Sequence, residues 1–328
     1  MCVADSSGRS VLLLNSGRNL GLVAAFSLAS DRYGQHLVVG YADPQSPSAH
    51  FGCRAVQHLP PLDTRFGAEL LNVLCGSGVR AVFPTRDDEL PALSDLTGDA
   101  RVPRDCILVV SDREFIEICD DKLRTFATFS EAGIPVAHTW LPGEDPPERL
   151  HLTGDSLVFV KPRRGAASAG IKRVAVKHVK HASAQIAEPI VQEDLGRKEV
   201  SVDALFSLDG EPVHFTCRTR DVIAGGQSVV STIVDARPFG VVVEKILAIC
   251  SRIGAKGIIN IQVFEREGEI VLGEINARLG SGYPLTQAGG GCYSEWLLAA
   301  ALGRELPEID VVFGLRMARG SQDVFWTP

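Results

Sequence analysis

The stretch "EIVLGEINARLGSG" (269–282) joins an apolar strand pattern to a row of polar side chains. It begins like a buried strand, and then Glu274, Asn276 and Arg278 follow at every second position. Because successive side chains of a strand point to opposite faces, this spacing places a carboxylate, an amide and a guanidinium on one face. A strand face that packs in a protein core normally carries apolar side chains, so this row is not typical of a core strand. The stretch therefore predicts the wall of a binding site, followed by a glycine-containing loop.

The chain just before this stretch predicts a partner strand. "GIINIQVFEREGEIVLGEIN" (257–276) reads as a hairpin with "REGE" (266–269) as its turn, which brings Gln262 close to Glu274 on the same face. Gln262, Glu274 and Asn276 can then direct oxygen atoms toward one point. Hard oxygen ligands, too few for a full cage, suit Mg²⁺ held jointly with phosphate oxygens. Arg278, next along the face, can fork onto a phosphate.

Composition limits the class of protein. The chain has 328 residues, of which 45% are hydrophobic and 22% charged, so it is long enough for two or three packed units. A net charge of −7 argues against a general nucleic-acid surface. No stretch approaches the roughly 20 apolar residues of a membrane span, and no signal peptide is expected. The eight cysteines form no CxxC pair, which indicates reduced thiols and a cytoplasmic location.

Residues 1–112 predict a Rossmann-like unit of the α/β class. Apolar runs such as "VLLLN" (11–15), "LVVGYAD" (37–43) and "RAVFPT" (80–85) alternate with helical patterns. This alternation is typical of a doubly wound parallel sheet, whose ligands bind beyond the carboxyl ends of its strands. Those ends are the loops at 15–18, 41–43 and 84–89. The spacing in "SGRNLG" differs from GxGxxG and gives little support to a dinucleotide.

A second group of residues indicates a phosphate site. "LVFVKPRRGAASAGIKRVAV" (157–176) reads as a hairpin whose tip consists of small residues that let backbone N–H groups approach an oxyanion. Lys161 ends its first strand, and Lys122 lies in the first turn of a preceding helix. An ordinary mobile surface hairpin is the alternative interpretation of this loop.

Several motifs together resemble the ATP-grasp superfamily, in the order typical of that family. They are "DDKLRTFATFSEAGIPV" (120–136), "VFVKPRRGAASAGI" (158–171), "VQEDLGRKEVSVD" (191–203), "NIQVF" (260–264) and "EINARLGSGYP" (274–284). No Walker motif and no kinase HRD or DFG motif is present. Within the superfamily the chain looks most like a stand-alone ligase of the carbamoyl-phosphate-synthase large-subunit type, in which a glutamine such as Gln262 often holds the first metal position.

The resemblance implies three parts, the last two forming an α+β ATP-grasp fold. They are a Rossmann-like pre-ATP-grasp domain (1–112), a small subdomain with a phosphate loop (113–190) and a C-terminal subdomain with magnesium-binding strands (191–328).

The resemblance also implies which residues bind ATP. Lys122 and Lys161 match the phosphate-binding basic residues. The phosphate loop, which would close over the site, contains Arg164, Gly165, Ala166, Ser168 and Gly170. The segment that meets adenine is Glu193, Asp194 and Leu195, and Glu199 matches the acid on the ribose hydroxyls.

Further matches concern the metal and the reaction. Gln262, Glu274 and Asn276 match the Mg²⁺ ligands, with Mn²⁺ as a substitute, and Arg278 matches the arginine on the transferred phosphate. Arg218 and Arg220 lie where related enzymes keep basic residues near the γ-phosphate or the acyl phosphate, and the sequence does not decide between them.

The expected activity is an ATP-dependent ligase. A small-molecule carboxylate would form an acyl phosphate and then react with an amine, with amino acids as the expected substrates and a homodimer as the assembly expected by analogy. Two alternatives stay open at this point: an ATP-grasp enzyme with bicarbonate, thiol or hydroxyl chemistry, and an ATP-binding sensor without turnover.

Overall fold

The computed structural model describes residues 10–76, 78–165, 170–196, 198–225 and 227–327. Its N-terminal part is a five-stranded sheet in which all neighbouring strands are parallel. The strands are β1 (Ser10–Leu14), β2 (His36–Tyr41), β3 (Arg54–Gln57), β4 (Val79–Phe83) and β5 (Ile107–Leu108). The helices are α1 (Leu20–Arg32), α2 (Phe66–Gly76) and α3 (Leu90–Leu96).

The strand order β3-β2-β1-β4-β5 confirms the doubly wound sheet. β1, "SVLLL", is buried along its whole length, as expected of a central parallel strand covered on both faces. The chain moves outward from β1 in one direction and later continues from β1 in the other. The loops after β1 and β4 therefore meet at the point where a doubly wound sheet binds its ligands.

The middle of the chain contains three helices and a four-stranded antiparallel sheet. The helices of this part are α4 (Arg113–Asp120), α5 (Lys122–Glu131) and the short α6 (Val179–Ser183). The strands are β6 (Thr139–Trp140), β7 (Leu157–Pro162), β8 (Lys172–Ala175) and β9 (Pro189–Glu193), in the order β6-β9-β7-β8. Asp121 caps α5 by accepting hydrogen bonds from the amides of Leu123 and Arg124 at 3.1 and 3.3 Å.

The last part is built around a seven-stranded antiparallel sheet. Its strands are β10 (Glu199–Phe206), β11 (Pro212–Thr219), β12 (Val222–Ala224), β13 (Gln227–Val234), β14 (Gly257–Arg266), β15 (Glu269–Asn276) and β16 (Arg316–Ala318). Its helices are α7 (Gly240–Ile253), α8 (Tyr283–Ala288) and α9 (Tyr293–Ala301). The order is β12-β13-β11-β10-β14-β15, and β16 pairs with β13.

The predicted β14–β15 hairpin is present in the predicted register. Gln262 lies opposite Glu274, and Asn260 lies opposite Asn276. The two turn residues, Glu267 and Gly268, have φ angles of 53° and 85°. Positive φ at both positions is the conformation of a two-residue hairpin turn whose twist matches that of the strands.

The two faces of the large sheet have opposite character. On one face, Val202, Ile261 and Ile275 are fully or almost fully buried, in the same core as Val243 of α7. This core also includes Phe115 of α4 and continues into the N-terminal helices. The predicted domain boundaries at 112 and 190 therefore cross a continuous core. These boundaries stay predictions. The other face carries polar side chains and borders the candidate site.

Two expectations from composition concern the part of the chain that the structure describes. Its cysteines are free thiols, at positions 53, 75, 106, 119, 217, 250 and 292. Among the described helices, none has the length and hydropathy needed to cross a membrane.

Gly257, at the start of β14, tests how tightly this sheet packs against the N-terminal part. Its φ is +72°, and a Cβ added there would lie 2.6 Å from Cγ1 of Val109. We expect Gly257→Ala to lower the free energy of unfolding by about 1–3 kcal/mol, measured by urea denaturation. Gly143→Ala is the matched control, because its Cβ would meet no atom within 4 Å. Equal stability of the two variants would contradict the packing described here.

Candidate active site

A cleft of about 1350 Å³ lies where the three parts of the chain meet. The N-terminal sheet contributes the loops after β1 and β4, and the middle part contributes the start of α5, the end of β7 and Leu195. The polar face of the large sheet forms the remaining wall, from β10 across β14 to the segment after β15. The cleft therefore collects most of the residues that the sequence predicted for one site.

Gln262, Glu274 and Asn276 line this cleft together. Within the described residues, none of these three side chains has a hydrogen bond or an ion pair to the protein. The described residues also hold no group of three or more His, Cys, Asp or Glu side chains able to bind a metal by themselves. One carboxylate and two amides fit Mg²⁺ only if other oxygens, such as those of a phosphate chain, complete its coordination.

Lys161 lies at the end of β7 and is 6% exposed. Its Nζ donates to Oε1 of Gln192 at 2.7 Å, and Gln192 in turn donates to Oγ1 of Thr139 at 2.9 Å. Burial lowers the pKa of Lys161, an effect that the charge of Glu274 opposes and that of Lys122 reinforces. The ammonium is thus fixed and poorly solvated, and a nearby anion would stabilise its charged form.

The entry to the predicted phosphate loop is anchored by acids at the α4–α5 junction. Arg163 forks onto Asp121 at 2.8 and 2.6 Å, and Arg164 donates to Asp120 at 3.2 Å. Nζ of Lys122 donates to the carbonyl of Gly165 at 2.7 Å. Ala166 and Ser168 lie outside the described residues. Gly170, at the far end of the loop, lies outside the cleft lining that the structure describes.

The three residues predicted to contact adenine differ in their surroundings. Leu195 is buried and lines the cleft. The carboxylate of Glu193 accepts from the amide of His138 at 2.8 Å and from Arg266 at 2.7 Å, so it joins β9 to neighbouring segments. Asp194 accepts from Arg173 at 2.6 Å and does not belong to the described lining of the cleft.

The predicted ribose acid, Glu199, and Arg220 line the cleft as an ion pair. Nη1 of Arg220 donates to Oε1 of Glu199 at 2.6 Å. The pair joins the start of β10 to the end of β11. A nucleotide that used Glu199 would share this carboxylate with Arg220.

Arg218 is held by an acid that sequence reasoning missed. Its guanidinium forks onto the buried Asp203 at 2.8 and 3.0 Å. Asp203 also accepts from Asn260 at 2.8 Å and from Thr286 at 2.7 Å. The signal in the sequence was the alternation Glu199, Ser201, Asp203 along β10, which places Asp203 on the polar face.

This guanidinium explains the glycines after β15. A Cβ at Gly282 would lie 2.3 Å from Nη1 of Arg218, and a Cβ at Gly280 would lie 3.0 Å from Nη2. Only a residue without a side chain lets the backbone approach Arg218 this closely. The "LGSG" pattern therefore reflects packing against a buried arginine.

Arg278 connects the large sheet to the N-terminal part. Its Nε and Nη2 donate to Oδ2 of Asp87, in the loop after β4, at 2.9 and 2.7 Å. Both residues line the cleft. The arginine predicted to contact the transferred phosphate is thus already positioned at the cleft by a carboxylate.

Glu89 fixes the loops at the switch point of the N-terminal sheet. Its carboxyl group is fully buried and accepts from the amides of Thr85 at 2.8 Å and Arg86 at 3.1 Å, as well as from Nδ2 of Asn15. Burial raises its pKa to about 7, although these hydrogen bonds act in the opposite direction. Sequence reasoning did not single out this residue within "PTRDDE".

The chain is similar to known proteins in part of its sequence and in its fold. A family model described as "ATP-grasp in the biosynthetic pathway with Ter operon" matches residues 185–322. No curated protein sequence matches the chain.

Solved structures share the fold at low sequence identity. Biotin carboxylase from Campylobacter jejuni is 14% identical over 94% of this chain and 74% of its own, with a TM-score of 0.71. The biotin carboxylase domain of 2-oxoglutarate carboxylase from Hydrogenobacter thermophilus is 14% identical over 94% and 73%, with a TM-score of 0.72. N5-carboxyaminoimidazole ribonucleotide synthetase from Thermus thermophilus is 20% identical over 92% and 80%, with a TM-score of 0.69.

Glu89 leads to a prediction about pH. Its pKa is about 7 in the folded protein, against an ordinary value of 4.5. Between these pH values the unfolded chain has lost a proton that the folded protein keeps, so this residue makes stability fall as pH rises, by about 3 kcal/mol in all. Below 4.5 and above 7 its contribution is constant.

We expect the Glu89→Gln variant to lack this contribution to the pH dependence of the free energy of unfolding. The free energy of unfolding of the wild type, minus that of the variant, should decrease between pH 4.5 and 7 in urea titrations. The exposed Glu305→Gln serves as control and should follow the wild type. Parallel pH curves for Glu89→Gln and the wild type would contradict the assignment.

Proposed function

We propose that the chain, whose residues 185–322 match an ATP-grasp family model, is an ATP-dependent ligase that joins a small-molecule carboxylate to an amine. The observation that carries this proposal is the arrangement of Gln262, Glu274 and Asn276. Their side chains line one cleft with the buried Lys161 and have no hydrogen-bond or ion-pair partner among the described residues. Groups that stabilise only the fold would be paired with one another.

The proposed nucleotide lies between the middle part of the chain and the polar face of the large sheet. The Hydrogenobacter structure contains MgADP, which supports a nucleotide in the corresponding place here. Lys122 and Lys161 would contact phosphates, Leu195 would pack against the adenine and Glu199 would accept from the ribose. Gln262, Glu274 and Asn276 would hold Mg²⁺, which neutralises charge on the phosphates when bound.

The proposed reaction has two displacement steps. A carboxylate oxygen of the substrate attacks the γ-phosphorus, the bond to the bridging oxygen breaks, and ADP leaves. The amine then attacks the acyl carbon, the bond to phosphate breaks, and the amine loses a proton as the amide forms. Arg278 and either Arg218 or Arg220 would offset the negative charge on the transferred group. No nucleophile of the protein is needed.

A second candidate reaction uses bicarbonate as the carboxylate. It is favoured by the solved structures, one of which contains bicarbonate and another of which is a synthetase for a carboxylated amine. In that case an amine on the acceptor would be carboxylated, and the product would gain the mass of CO₂. Amino-acid substrates and a homodimer stay predictions.

The experiment that tests the function is a substrate screen. The protein is incubated with Mg·ATP and pairs of amino acids, with and without bicarbonate, and phosphate release and product mass are recorded. An amide product with stoichiometric ADP supports the first reaction. ADP release that requires bicarbonate supports the second, and no ADP with any substrate contradicts both and favours a nucleotide sensor.

Glu274 provides the prediction that isolates the metal site. We expect Glu274→Gln to lower ADP formation by about 100-fold or more, because the change removes the one carboxylate of the proposed metal site. The change is isosteric on a half-buried side chain without protein partners, so the urea midpoint should stay near that of the wild type.

Glu269→Gln is the matched control. It makes the same chemical change on the same strand, at an exposed position outside the cleft lining, and should retain wild-type turnover. Near-normal ADP formation by Glu274→Gln would disprove the metal assignment.

A further inference from the structure

The charged side chains that line the cleft are mostly paired, and Arg18 stands apart from them. Arg278 pairs with Asp87 and Arg220 with Glu199. Arg18 lines the cleft from the loop after β1 and is exposed. Within the described residues its guanidinium has no ion pair and no hydrogen bond. The positive charge of Arg18 therefore has no acidic partner in the described part of the chain. The same is true of Lys122 and Lys161 at the proposed phosphate position.

The backbone of the same loop offers unpaired donors. The amides of Ser16, Gly17 and Arg18 have no acceptor among the described residues, whereas the next amide, of Asn19, donates to the carbonyl of Ser16 at 2.9 Å. Asn15 and Gly17 have φ angles of 38° and 60°. Alternation of this kind forms a concave set of N–H groups that binds anions. The loop also leads into α1, whose first turn contains no acidic residue.

Ser16 supplies the observation that points to a missing ligand. It lines the cleft, is 7% exposed, and its hydroxyl group has no hydrogen-bond partner. A buried hydroxyl without a partner costs free energy, so native proteins seldom leave one unless a ligand or water pairs with it. The unpaired hydroxyl, three unpaired amides and an unpaired guanidinium belong to three consecutive residues.

We propose that residues 16–18 bind an anionic group of the substrate that does not itself react, either a carboxylate or a phosphate monoester. The hydroxyl of Ser16 and the three amides donate to its oxygens, and Arg18 supplies the opposite charge. This inference rests on the proposed function only in assigning the anion to the ligase substrate.

The position of the loop fits this role. Nδ2 of Asn19 donates to the carbonyl of Ser281 at 2.9 Å, which holds the loop against the glycine segment that covers Arg218. The anion site therefore adjoins the part of the cleft where the transferred phosphate would lie. A substrate held at residues 16–18 extends from there toward Arg278 and Arg218.

The test measures anion binding directly. The wild-type protein is saturated with Mg²⁺ and a non-hydrolysable ATP analogue, so that the phosphate positions are filled. It is then titrated with inorganic phosphate in one series and with succinate in another. Calorimetry gives the affinity, and hydrogen exchange of residues 15–22 gives the location. Slower exchange with phosphate indicates a phosphate monoester, and slower exchange with succinate indicates a carboxylate.

Variants connect the binding to the named groups. We expect Arg18→Gln to weaken binding of the effective anion by about tenfold or more, and Ser16→Ala to weaken it by a smaller factor. Arg304→Gln is the matched control, since it removes the same charge at an exposed position outside the cleft lining. Exchange that neither anion slows, wild-type affinity in Arg18→Gln, or equal weakening by Arg304→Gln would each overturn the proposal.

A nucleotide-free series separates this proposal from the proposed function. If the ATP analogue does not bind, the ligase assignment fails, while slower exchange at residues 15–22 with phosphate or succinate still supports the anion site. If the analogue binds and neither anion slows exchange there, the anion site fails and the ligase assignment stands.

Discussion

The buried carboxylate of Asp203 is the constraint on which the polar face of the large sheet depends. It is fully buried and accepts four hydrogen bonds, two from Arg218 and one each from Asn260 and Thr286. A buried charge is tolerated only when its partners are complete, and removal of one partner costs about 3–5 kcal/mol. Asp203 therefore fixes β10, β11, β14 and α8 relative to one another, and the site is built on this rigid face.

Two classes of polar group follow from that constraint. Asp203 and Glu193 each accept hydrogen bonds from at least two other residues, and Arg218 donates two to Asp203, so these groups hold the fold in place even where they border the cleft. Gln262 and Glu274 lie beside the same network without protein partners among the described residues. A network that satisfies itself can orient neighbours that remain available to a ligand. The difference between satisfied and unsatisfied groups therefore distinguishes the structural residues from the residues proposed to bind a ligand.

Much of the fold could be predicted from sequence because local rules determine it. The turn at Glu267 and Gly268 sets the hairpin register as far as the pair of Val263 and Leu272, and a register shift beyond that pair brings Gln262 opposite Glu274. The parallel sheet followed from alternating strands and helices. The ion pairs could not be predicted in this way. Arg278 and Asp87 are 191 positions apart, and their contact depends on how separate units pack. Likewise, the sequence identified Arg218 as a catalytic candidate but did not reveal its ion pair with Asp203, which lies diagonal to it on the neighbouring strand.

The charged side chains of the cleft that have no ion-pair partner indicate what kind of ligand would balance their charge. The chain carries a net charge of −7, yet Lys122, Lys161 and Arg18 line the cleft without an acid in an ion pair among the described residues, against Glu274 alone on the acidic side. Burial also lowers the pKa of Lys161, so keeping its charge has a cost that an anion would reduce. By linkage, an anion bound beside Lys161 raises that pKa, and tighter protonation of the lysine in turn strengthens anion binding. The cleft is therefore electrostatically incomplete by itself, and the proposed combination of Mg·ATP with an acidic substrate would balance its charge.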